Sequence, residues 1–473
     1  MSRLTPICLA TVLALGGCAI GPHYRRPPTP TPAAYKELAG WKVATPGHAD
    51  DQGLAWSVYK DPVLDDLEHQ VIVSNQNLKV AEAAYRQARA AVLSARAALF
   101  PTVSAGFSGN RSSGLTRSTT AVSSSSAPRN EYALNGSASW DLDLWGKVRR
   151  NIEANADLAK ASQADLANAT LSAQAALATA YFELRYADEQ ERLLQSLVEG
   201  QQRALKIAEN RFKVGVAGKA DILTARTQME ATEAQRINVG ITRANLEHSI
   251  AVLVGKPPAD FTLAPAAVPP PAPDVPVGLP SELLERRPDI AGAEKRMAAA
   301  NAEIGVAEAA FFPDISLSGS GEYVSSALST LFTAANPAWS IGASAAETIF
   351  TGGARIADLK SARAAYDQNV ATYRQTLLTA FQEVEDDLSA TRILTQQADV
   401  ERARVSDSRD AERVTLNEYK SGTADYATVI TAQTARLNAE LEALSVESTR
   451  LTTTVSLIQA LGGGWSATQI SKQ

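Results

Sequence analysis

The sequence predicts a mainly helical fold in which one unit, a β-hairpin followed by a long helical hairpin, occurs twice. Short motifs recur in the same order in both halves of the chain, two long stretches contain no proline, and several segments alternate between apolar and small polar residues. A sequence that repeats at a fixed period indicates a repeated structural unit, so the duplication is considered before any single element.

The duplication is visible in four motifs that recur about 207 residues apart. In the first half of the chain they are Phe100-Pro101, Trp140 to Gly146, Arg211 to Gly215 and Leu253 to Gly255. In the second half they are Phe312-Pro313, Glu347 to Gly352, Glu418 to Gly422 and Leu461-Gly462.

These motifs predict the domain organisation. We place repeat 1 at residues 62–256 and repeat 2 at residues 281–462. A proline-rich connector at residues 257–280 joins the repeats, and residues 463–473 form a C-terminal tail.

Each repeat can hold one very long helix, because proline is absent between Pro128 and Pro257 and after Pro337. A proline inside a helix costs about 3 kcal/mol, so proline-free stretches permit unbroken helices. We predict one helix from about residue 147 to 212 and its equivalent ending near Tyr419, each roughly 100 Å long. Steps of three, four or seven residues between apolar side chains predict a coiled-coil seam in the second helix. The seam residues are Ile356, Leu359, Tyr366, Val370, Tyr373, Leu377, Phe381, Val384 and Leu388.

Each long helix is predicted to end at a glycine-containing turn, after which a second helix returns. The turns run from Val214 to Lys219 and from Ser421 to Ala424. Asp221 and Asp425 follow them, where an N-cap side chain would accept hydrogen bonds from free amides of the returning helix. Capping is the structural interpretation of both aspartates.

The predicted hairpins occupy residues of about 102–144 and 314–350, and their strands alternate apolar with small polar side chains. Strands of about ten residues with this alternation are typical of membrane β-barrels, whereas a half-buried sheet of a soluble protein is the alternative. Because four strands cannot close a barrel and open edges in lipid leave backbone groups unpaired, we expect several copies to share one barrel. The residues themselves leave the number of copies open.

Residues 1–17 predict an export signal, because Arg3 precedes a short apolar stretch and a Gly-Gly-Cys ending. Cys18 is the expected site of lipid attachment and begins an N-terminal arm at residues 18–61; an ordinary signal with a chance cysteine is the alternative. Ala19, in place of an aspartate, favours the outer membrane. Since Cys8 leaves with the signal, Cys18 is the only cysteine of the mature chain, which excludes a disulfide scaffold and a cysteine metal site.

Composition argues against several other classes of protein. The formal charge of −6 gives no basic patch and no reason to expect nucleic acid. The four histidines are scattered, and neither a metal-binding spacing, a nucleophile elbow nor a phosphate loop occurs. We therefore expect no enzyme, no catalytic residues, no metal site, and no cofactor other than a covalent lipid.

Five stretches, taken in order together with the duplication, resemble the outer-membrane factor family over essentially the full length. The family forms the exit ducts of tripartite efflux pumps and type I secretion systems, and its lipoprotein branch is the most similar. The stretches are Cys18 to Pro27, Trp56 with Asp61-Pro62, Leu284 to Ile290, Phe311 to Ile315 and Ala460 to Trp465.

The resemblance implies a homotrimer in which four β-strands per chain contribute to a shared 12-stranded outer-membrane β-barrel, while the helical hairpins form a periplasmic α-barrel. It implies a passive duct that meets a periplasmic adaptor protein, and through it an inner-membrane pump of the RND type or a related one. A type I secretion duct and a non-transporting trimeric lipoprotein remain the alternatives. The scarcity of methionine, only Met1, Met229 and Met297, argues against a methionine relay for copper or silver. The sequence does not identify the transported substrate.

The resemblance also assigns candidate site residues. It implies that the adaptor docks on two turns, Val214-Gly215-Val216 and Ser421-Gly422-Thr423, although these glycines could serve only to end helices. Tyr419 matches an aromatic residue that helps to hold the family's tube shut.

The sequence departs from the family at the pore. Family members commonly place acidic residues nine and twelve positions after the aromatic, where this chain has Thr428 and Thr431, and a pore-narrowing leucine corresponds to Ala427. Closure by carboxylate rings is therefore not expected. Our hypothesis is a gate formed by Tyr419 and its neighbours, which are Glu418, Lys420, Arg211 and Asp221.

Overall fold

The computed structural model describes residues 19–29, 31–32, 34–37, 56–113, 128–266, 273, 283–333 and 337–468. The predicted signal, Cys18 and most of the connector lie outside these residues. The helices are α1 (Pro62–Ser74), α2 (Gln76–Ala97), α3 (Lys147–Lys213), α4 (Lys219–Leu253), α5 (Leu283–Arg286), α6 (Pro288–Ala309), α7 (Ala354–Ser421) and α8 (Tyr426–Ala460). The strands are β1 (Thr102–Ser112), β2 (Arg129–Leu142), β3 (Asp314–Ser325) and β4 (Ala338–Ala346).

The chain forms two compact units, and each combines segments from both halves of the sequence. The first consists of Met1–Pro27, Tyr85–Ala161 and Ala293–Tyr373, and it contains all four strands. The second consists of Pro28–Ala84, Ser162–Gly292 and Arg374–Gln473, and it contains both predicted helix turns. Among the described helices, none is both long and apolar enough to cross a membrane.

The strands form one antiparallel sheet in the order β1-β2-β3-β4, and its register confirms the predicted two faces. Ser104 pairs with Ser137, Ser137 with Ser320, and Ser320 with Ser340, so one row of hydroxyls crosses all four strands. The hydroxyl oxygens of Ser104 and Ser137 are 2.7 Å apart and those of Ser320 and Ser340 are 2.9 Å apart. Directly opposed residues share a face, so this face is mainly polar, with Ala133 and Val324 as apolar exceptions.

Neither face of the sheet forms a core within the chain. On the apolar face Val103 is 75% exposed and Ile341 is 82% exposed, and every residue of β4 is exposed. Exposed contiguous apolar surface of this kind normally marks contact with a membrane or another protein.

The strand ends differ slightly from the prediction. β2 stops at Leu142, so Asp143 and Leu144 are not in the strand. The reason is that Asp143 serves the next helix: its carboxylate accepts hydrogen bonds from the backbone N–H groups of Val148 and Arg149, both at 3.0 Å. β4 likewise ends at Ala346, short of the predicted limit at residue 350.

Both long helices are present over nearly the predicted ranges. α3 has 67 residues and α7 has 68. The predicted seam of α7 is buried within the chain at Tyr373, Leu377, Val384 and Leu388, whereas Ile356, near the start of the helix, is 56% exposed in the single chain.

The first described residues pack tightly between α3 and α6. The backbone N–H of Ile20 donates to the carbonyl of Trp145 at 3.0 Å, and Arg150 donates to the carbonyls of Ile20 and Gly21, both at 3.0 Å. Gly21 has φ +106°, and a Cβ there would lie 2.4 Å from the Cα of Gly305. Only glycine fits such a backbone contact.

The helix α1 covers an apolar core with α3. Asp61 caps α1 by accepting from the backbone N–H of Val63 at 2.9 Å, and its other oxygen accepts from the Tyr181 hydroxyl at 2.6 Å. Glu68 on α1 is 5% exposed, and burial raises its pKa to about 9.

Candidate docking and gating site at the two helix turns

The two turns share one backbone geometry, which is the expected result of the duplication. In the first, the N–H of Gly215 donates to the carbonyl of Phe212 at 2.9 Å and the N–H of Val216 donates to that of Arg211 at 3.0 Å. In the second, the corresponding bonds run from Gly422 to Tyr419 at 3.1 Å and from Thr423 to Glu418 at 3.0 Å. This pair of bonds defines the Schellman ending of a helix.

Glycine is required at both turns by the backbone. Gly215 has φ +79° and Gly422 has φ +86°, in the left-handed region that side-chain-bearing residues avoid. No described atom lies within 4 Å of the place that a Cβ would take on Gly215, so the first turn is open to a partner.

The turns differ in the chemistry of their surfaces. Val214 is 73% exposed and Val216 is 61% exposed, so the first turn presents apolar side chains. In the second, the hydroxyls of Ser421 and Thr423 donate to the carbonyl of Glu418 at 2.9 and 3.1 Å. The second turn is therefore polar and braced by its own side chains.

A buried cluster joins the ends of four helices beneath the turns. Tyr419 of α7 and Tyr426 of α8 pack with their ring centroids 5.1 Å apart, and Ala204 of α3, Ala225 of α4 and Val429 complete the core. The sequence analysis did not predict Tyr426, Ala204 or Ala225 as site residues. A tyrosine on each side of the turn was the available signal for Tyr426, whereas the alanines give none.

Arg211 connects the two turns. Its guanidinium lies 4.6 Å from the centre of the Tyr419 ring, and its Nη1 donates to the backbone carbonyls of Tyr419 and Lys420. The stacked geometry is a cation–π contact, and a planar guanidinium can make both interactions at once. The structure thus brings together Arg211, Tyr419 and Lys420, as the gate hypothesis expects.

Both tyrosines stay protonated at physiological pH. Burial raises the pKa of Tyr419, and the negative charge of Asp221 adds to the increase while Arg211 opposes it. Burial also raises the pKa of Tyr426 to about 12, with smaller contributions from Tyr419 and Asp221. Asp221 therefore lies close enough to influence the ring pair, although its side chain is not a helix cap.

The capping prediction is confirmed for Asp425 and wrong for Asp221. The Asp425 carboxylate accepts from the backbone N–H of Thr428 at 2.9 Å and from its hydroxyl at 2.7 Å, and these bonds lower its pKa. The N-cap of α4 is Gly218, which has no side-chain cap. The reason lies in the repeat register: at a spacing of about 207 residues, Gly218 corresponds to Asp425 and Asp221 to Thr428.

The three positions expected from the resemblance to narrow the pore lie on the exposed surface of α8. Ala427, Thr428 and Thr431 are all exposed. The hydroxyl of Thr431 donates to the carbonyl of Ala427 at 3.0 Å, a bond that remains within the helix. Glu418 is likewise exposed. Among the described residues no cluster of histidine, cysteine, aspartate or glutamate could hold a metal ion.

Known proteins match this chain over both of its halves. A family model described as outer membrane efflux protein matches residues 67–256 and 279–463. The toluene efflux pump outer membrane protein TtgC of Pseudomonas putida is 31% identical over 457 residues, which is 96% of this chain and 94% of TtgC. The pyoverdine export outer membrane protein OpmQ of Pseudomonas aeruginosa is 29% identical over 477 residues, covering 99% of this chain and 98% of OpmQ.

The fold of the chain also matches a solved structure. The solved outer-membrane channel OprN matches with a TM-score of 0.86 at 31% identity, over 95% of this chain and 100% of OprN. The matches extend along the long helices, the turns and the strands rather than along one segment. This chain belongs to the outer membrane efflux protein family.

Proposed function

We propose that this chain is the outer-membrane channel subunit of a tripartite efflux pump and acts as a passive exit duct. The observation that carries the proposal is a four-stranded sheet with two open edges and no buried face, in a chain with helices of 67 and 68 residues. The names of TtgC and OpmQ, which refer to an efflux pump and to export, support the same role.

The open sheet is the reason to propose a trimer. β1 and β4 each have a partner on one side only among the described strands, and an unpaired edge in lipid costs several kcal/mol for each backbone group. Three copies, joined edge to edge, would give a closed 12-stranded barrel whose polar face, with its row of serine hydroxyls, lines the lumen. The exposed apolar face would then contact outer-membrane lipid.

A lipid on Cys18 would add a second attachment to the membrane. The residues that follow it, from Ile20 to Pro22, are bonded to Trp145, Arg150 and Asn301 in the unit that contains the sheet. This anchoring would hold the acylated end of the chain near the base of the barrel.

The turns are the proposed contact with the periplasmic adaptor, through which an inner-membrane pump reaches the duct. Val214, Gly215 and Val216 offer an apolar, unobstructed surface, whereas Ser421, Gly422 and Thr423 offer a polar one. The neighbouring group of Arg211, Tyr419, Lys420, Glu418 and Asp221 would control opening of the tip.

The duct itself would not choose the cargo. The two relatives carry names that refer to toluene and to pyoverdine, yet both align with this chain over more than nine-tenths of its length. Different cargoes on one architecture are expected when a separate pump selects the substrate.

The test is electron microscopy of the full chain purified from outer membranes, combined with conductance measurements in planar bilayers. We expect end-on views with threefold symmetry and a central hole, and discrete conductance steps. Mass spectrometry of the N-terminal peptide, with Cys18→Ser as the control, reports on the lipid. Solid trimeric rods without conductance would replace the duct by a structural lipoprotein.

A further inference from the structure

The last three turns of α2, which lead into β1, carry a row of exposed arginines. Arg86, Arg89 and Arg96 follow one another at steps of three and seven residues, so they share one face of the helix over roughly 15 Å. Leu93 lies between them on the same face and is 66% exposed. We call these four residues the basic stripe.

The charge of the basic stripe is not neutralised within the described chain. None of its three arginines forms an ion pair with a described residue, and the Arg89 guanidinium lies 5.9 Å from the centre of the uncharged Tyr85 ring. No aspartate or glutamate occurs in the sequence between Glu82 and Glu131. The stripe therefore keeps its positive charge for a partner outside the chain.

Other basic residues near the ends of the strands are paired, which makes the stripe unusual in its unit. These ion pairs are Lys147 with Asp314, Arg149 with Asp143, and Arg355 with Glu347. Such paired charges offer little attraction to a distant anion, whereas the unpaired arginines of α2 act at full strength.

The stripe begins next to the expected edge of the membrane. β1 has 11 residues, which at a tilt of about 40° rise roughly 28 Å, close to the apolar band of about 25 Å in membrane barrels. The start of β1 at Thr102 therefore falls at one edge of that band. Arg96 precedes Thr102 by six residues, at most about 9 Å along the helix axis. Because the headgroup layer is about 5–8 Å deep on each side, the Arg96 side chain can reach its phosphates.

The apolar neighbours of the arginines favour the same location. Phe100 is 69% exposed and lies between Arg96 and the strand, and Leu93 is exposed between Arg89 and Arg96. A helix face that combines basic and apolar side chains is typical of a membrane surface, where the apolar groups enter the interface and the charges meet phosphates. On a face lining an aqueous lumen, Leu93 and Phe100 would remain in water.

We propose that the basic stripe binds the phosphate headgroups of anionic phospholipids in the periplasmic leaflet of the outer membrane. Arg96 makes the direct contact, while Arg89 and Arg86 add attraction from within about one or two screening lengths of roughly 10 Å. The inference rests on the proposed function, because it extends the lipid contact of the sheet to a helix outside the barrel. The apolar face of the sheet does not distinguish lipids by charge, whereas the stripe does.

The test uses the full-length channel in detergent, freed of lipid and mixed with equal amounts of phosphatidylglycerol and phosphatidylcholine that have the same acyl chains. Lipids that stay bound through gel filtration are extracted and quantified by mass spectrometry. We expect at least a fivefold excess of bound phosphatidylglycerol, since one arginine near a membrane surface contributes about that factor. The excess should fall at high salt, because exposed charges are screened.

Arg89→Gln/Arg96→Gln removes the two charges closest to the strand and should bring the ratio of the two bound lipids close to one. Arg89→Lys/Arg96→Lys should preserve the excess, since lysine keeps the charge. The matched control is Arg203→Gln/Arg226→Gln, which should also preserve it. Both control arginines are exposed and without an ion pair to a described residue, but they belong to the unit that contains no strand.

Two further measurements separate the membrane from other partners of the stripe. The reversal potential of Arg89→Gln/Arg96→Gln in a salt gradient should equal that of the wild type, because the stripe does not face the lumen. The variant should also keep the oligomeric state of the wild type in light-scattering measurements, because the stripe is not a contact between copies.

Four results would overturn the inference: equal amounts of the two lipids on the wild type, an unchanged ratio in Arg89→Gln/Arg96→Gln, a shift of its reversal potential towards cations, or dissociation of its oligomer. The last two would assign the stripe to the lumen or to a second copy of the chain. A conducting wild type without lipid preference refutes the stripe and leaves the duct in place, whereas a non-conducting wild type refutes the duct.

Discussion

Arg211 is the residue on which the organisation of the turns depends most. It stands on α3 in repeat 1, yet its cation–π contact and its hydrogen bonds to backbone carbonyls go to Tyr419 and Lys420 on α7 in repeat 2. A side chain that fixes the backbone of another repeat couples the two turns, so that one cannot move outward without the other.

Arg211→Lys should loosen this coupling. Lysine keeps the charge but lacks the planar fork, so it cannot hold two carbonyls and stack on the ring together. The loss of one charge-assisted hydrogen bond, about 1.5–3 kcal/mol, predicts a roughly tenfold or larger rise in the open probability of single channels. Arg226→Lys on the exposed surface of α4 is the control. Equal open probabilities for the two variants would exclude Arg211 from the gate.

Thr431→Asp tests whether the pore passes the exposed face of α8. Three new carboxylates around a pore should increase cation preference and block by divalent cations in single-channel recordings. Thr224 is the equivalent residue of repeat 1 and makes the same bond, from its hydroxyl to the carbonyl of Ala220 at 2.9 Å. Thr224→Asp should leave ion selectivity unchanged; a recording of Thr431→Asp that matches wild type removes Thr431 from the pore.

The turns behave as structural elements because their glycines, and not their side chains, determine the path of the chain. Both helix ends use the same two hydrogen bonds, while the exposed residues around them differ completely between the repeats. Duplication therefore preserved the backbone and left the surface free to diverge, which suits one turn to apolar contact and the other to polar contact.

Gly215→Ala should destabilise the first turn by about 1–2 kcal/mol, the cost of a left-handed conformation for a residue with a Cβ. The readout is faster amide hydrogen exchange around residues 214–216. Gly240 lies inside α4, and no described atom is within 4 Å of the place that a Cβ would take there, so Gly240→Ala should instead slow exchange locally. Equal effects of the two substitutions would show that alanine at residue 215 adopts the turn conformation without strain.

The long helices and the strands were predictable from the sequence because proline, glycine and alternation act locally. α3 was predicted from about 147 to 212 and spans Lys147–Lys213. The N-cap residue of α4 was not predicted correctly, because Asp221 follows a glycine-containing turn just as Asp425 does. Only the repeat register separates them, by placing Asp221 opposite Thr428.

At the scale of the whole molecule, one buried carboxyl group, Glu68, and one half-buried carboxyl group, Asp387, make stability depend on pH. Burial raises the pKa of Glu68 to about 9 and that of Asp387 to about 7, the latter also through Glu383 and Asp386. Each group keeps its proton in the folded chain while the unfolded chain releases it. Stability therefore falls as pH rises from the ordinary pKa of each group to its raised value.

Glu68→Gln should remove the pH dependence of the free energy of unfolding between pH 7 and 9. In this range Glu68, and not Asp387, causes the dependence. The slope lost is at most about 1.4 kcal/mol per pH unit. Guanidinium unfolding of the detergent-solubilised channel at several pH values measures it. Asp387→Asn should flatten the curve only below pH 7, and an unchanged slope above pH 7 in Glu68→Gln would contradict the assignment.

The duplication allowed Arg211 to be placed beside Tyr419, but the buried cluster beneath the turns could not be predicted, because it joins residues far apart in sequence. Ala204 meets Tyr426 only once helices from both halves have paired. Helical periodicity indicates which face is apolar, but it does not say which partner covers that face. For the same reason, the sequence placed Ile356 in the seam but did not predict that its side chain is exposed in the single chain.

The glycine contact of the N-terminal arm has a consequence for the order of biogenesis. Gly21 lies against Gly305 of α6 while Arg150 of α3 and Asn301 of α6 hold the neighbouring carbonyls, so the seat for the arm exists only after α3 and α6 have come together. The segment around Gly21 must therefore settle after α3 and α6, although it precedes both helices in the sequence. Until the two helices have paired, this segment remains accessible.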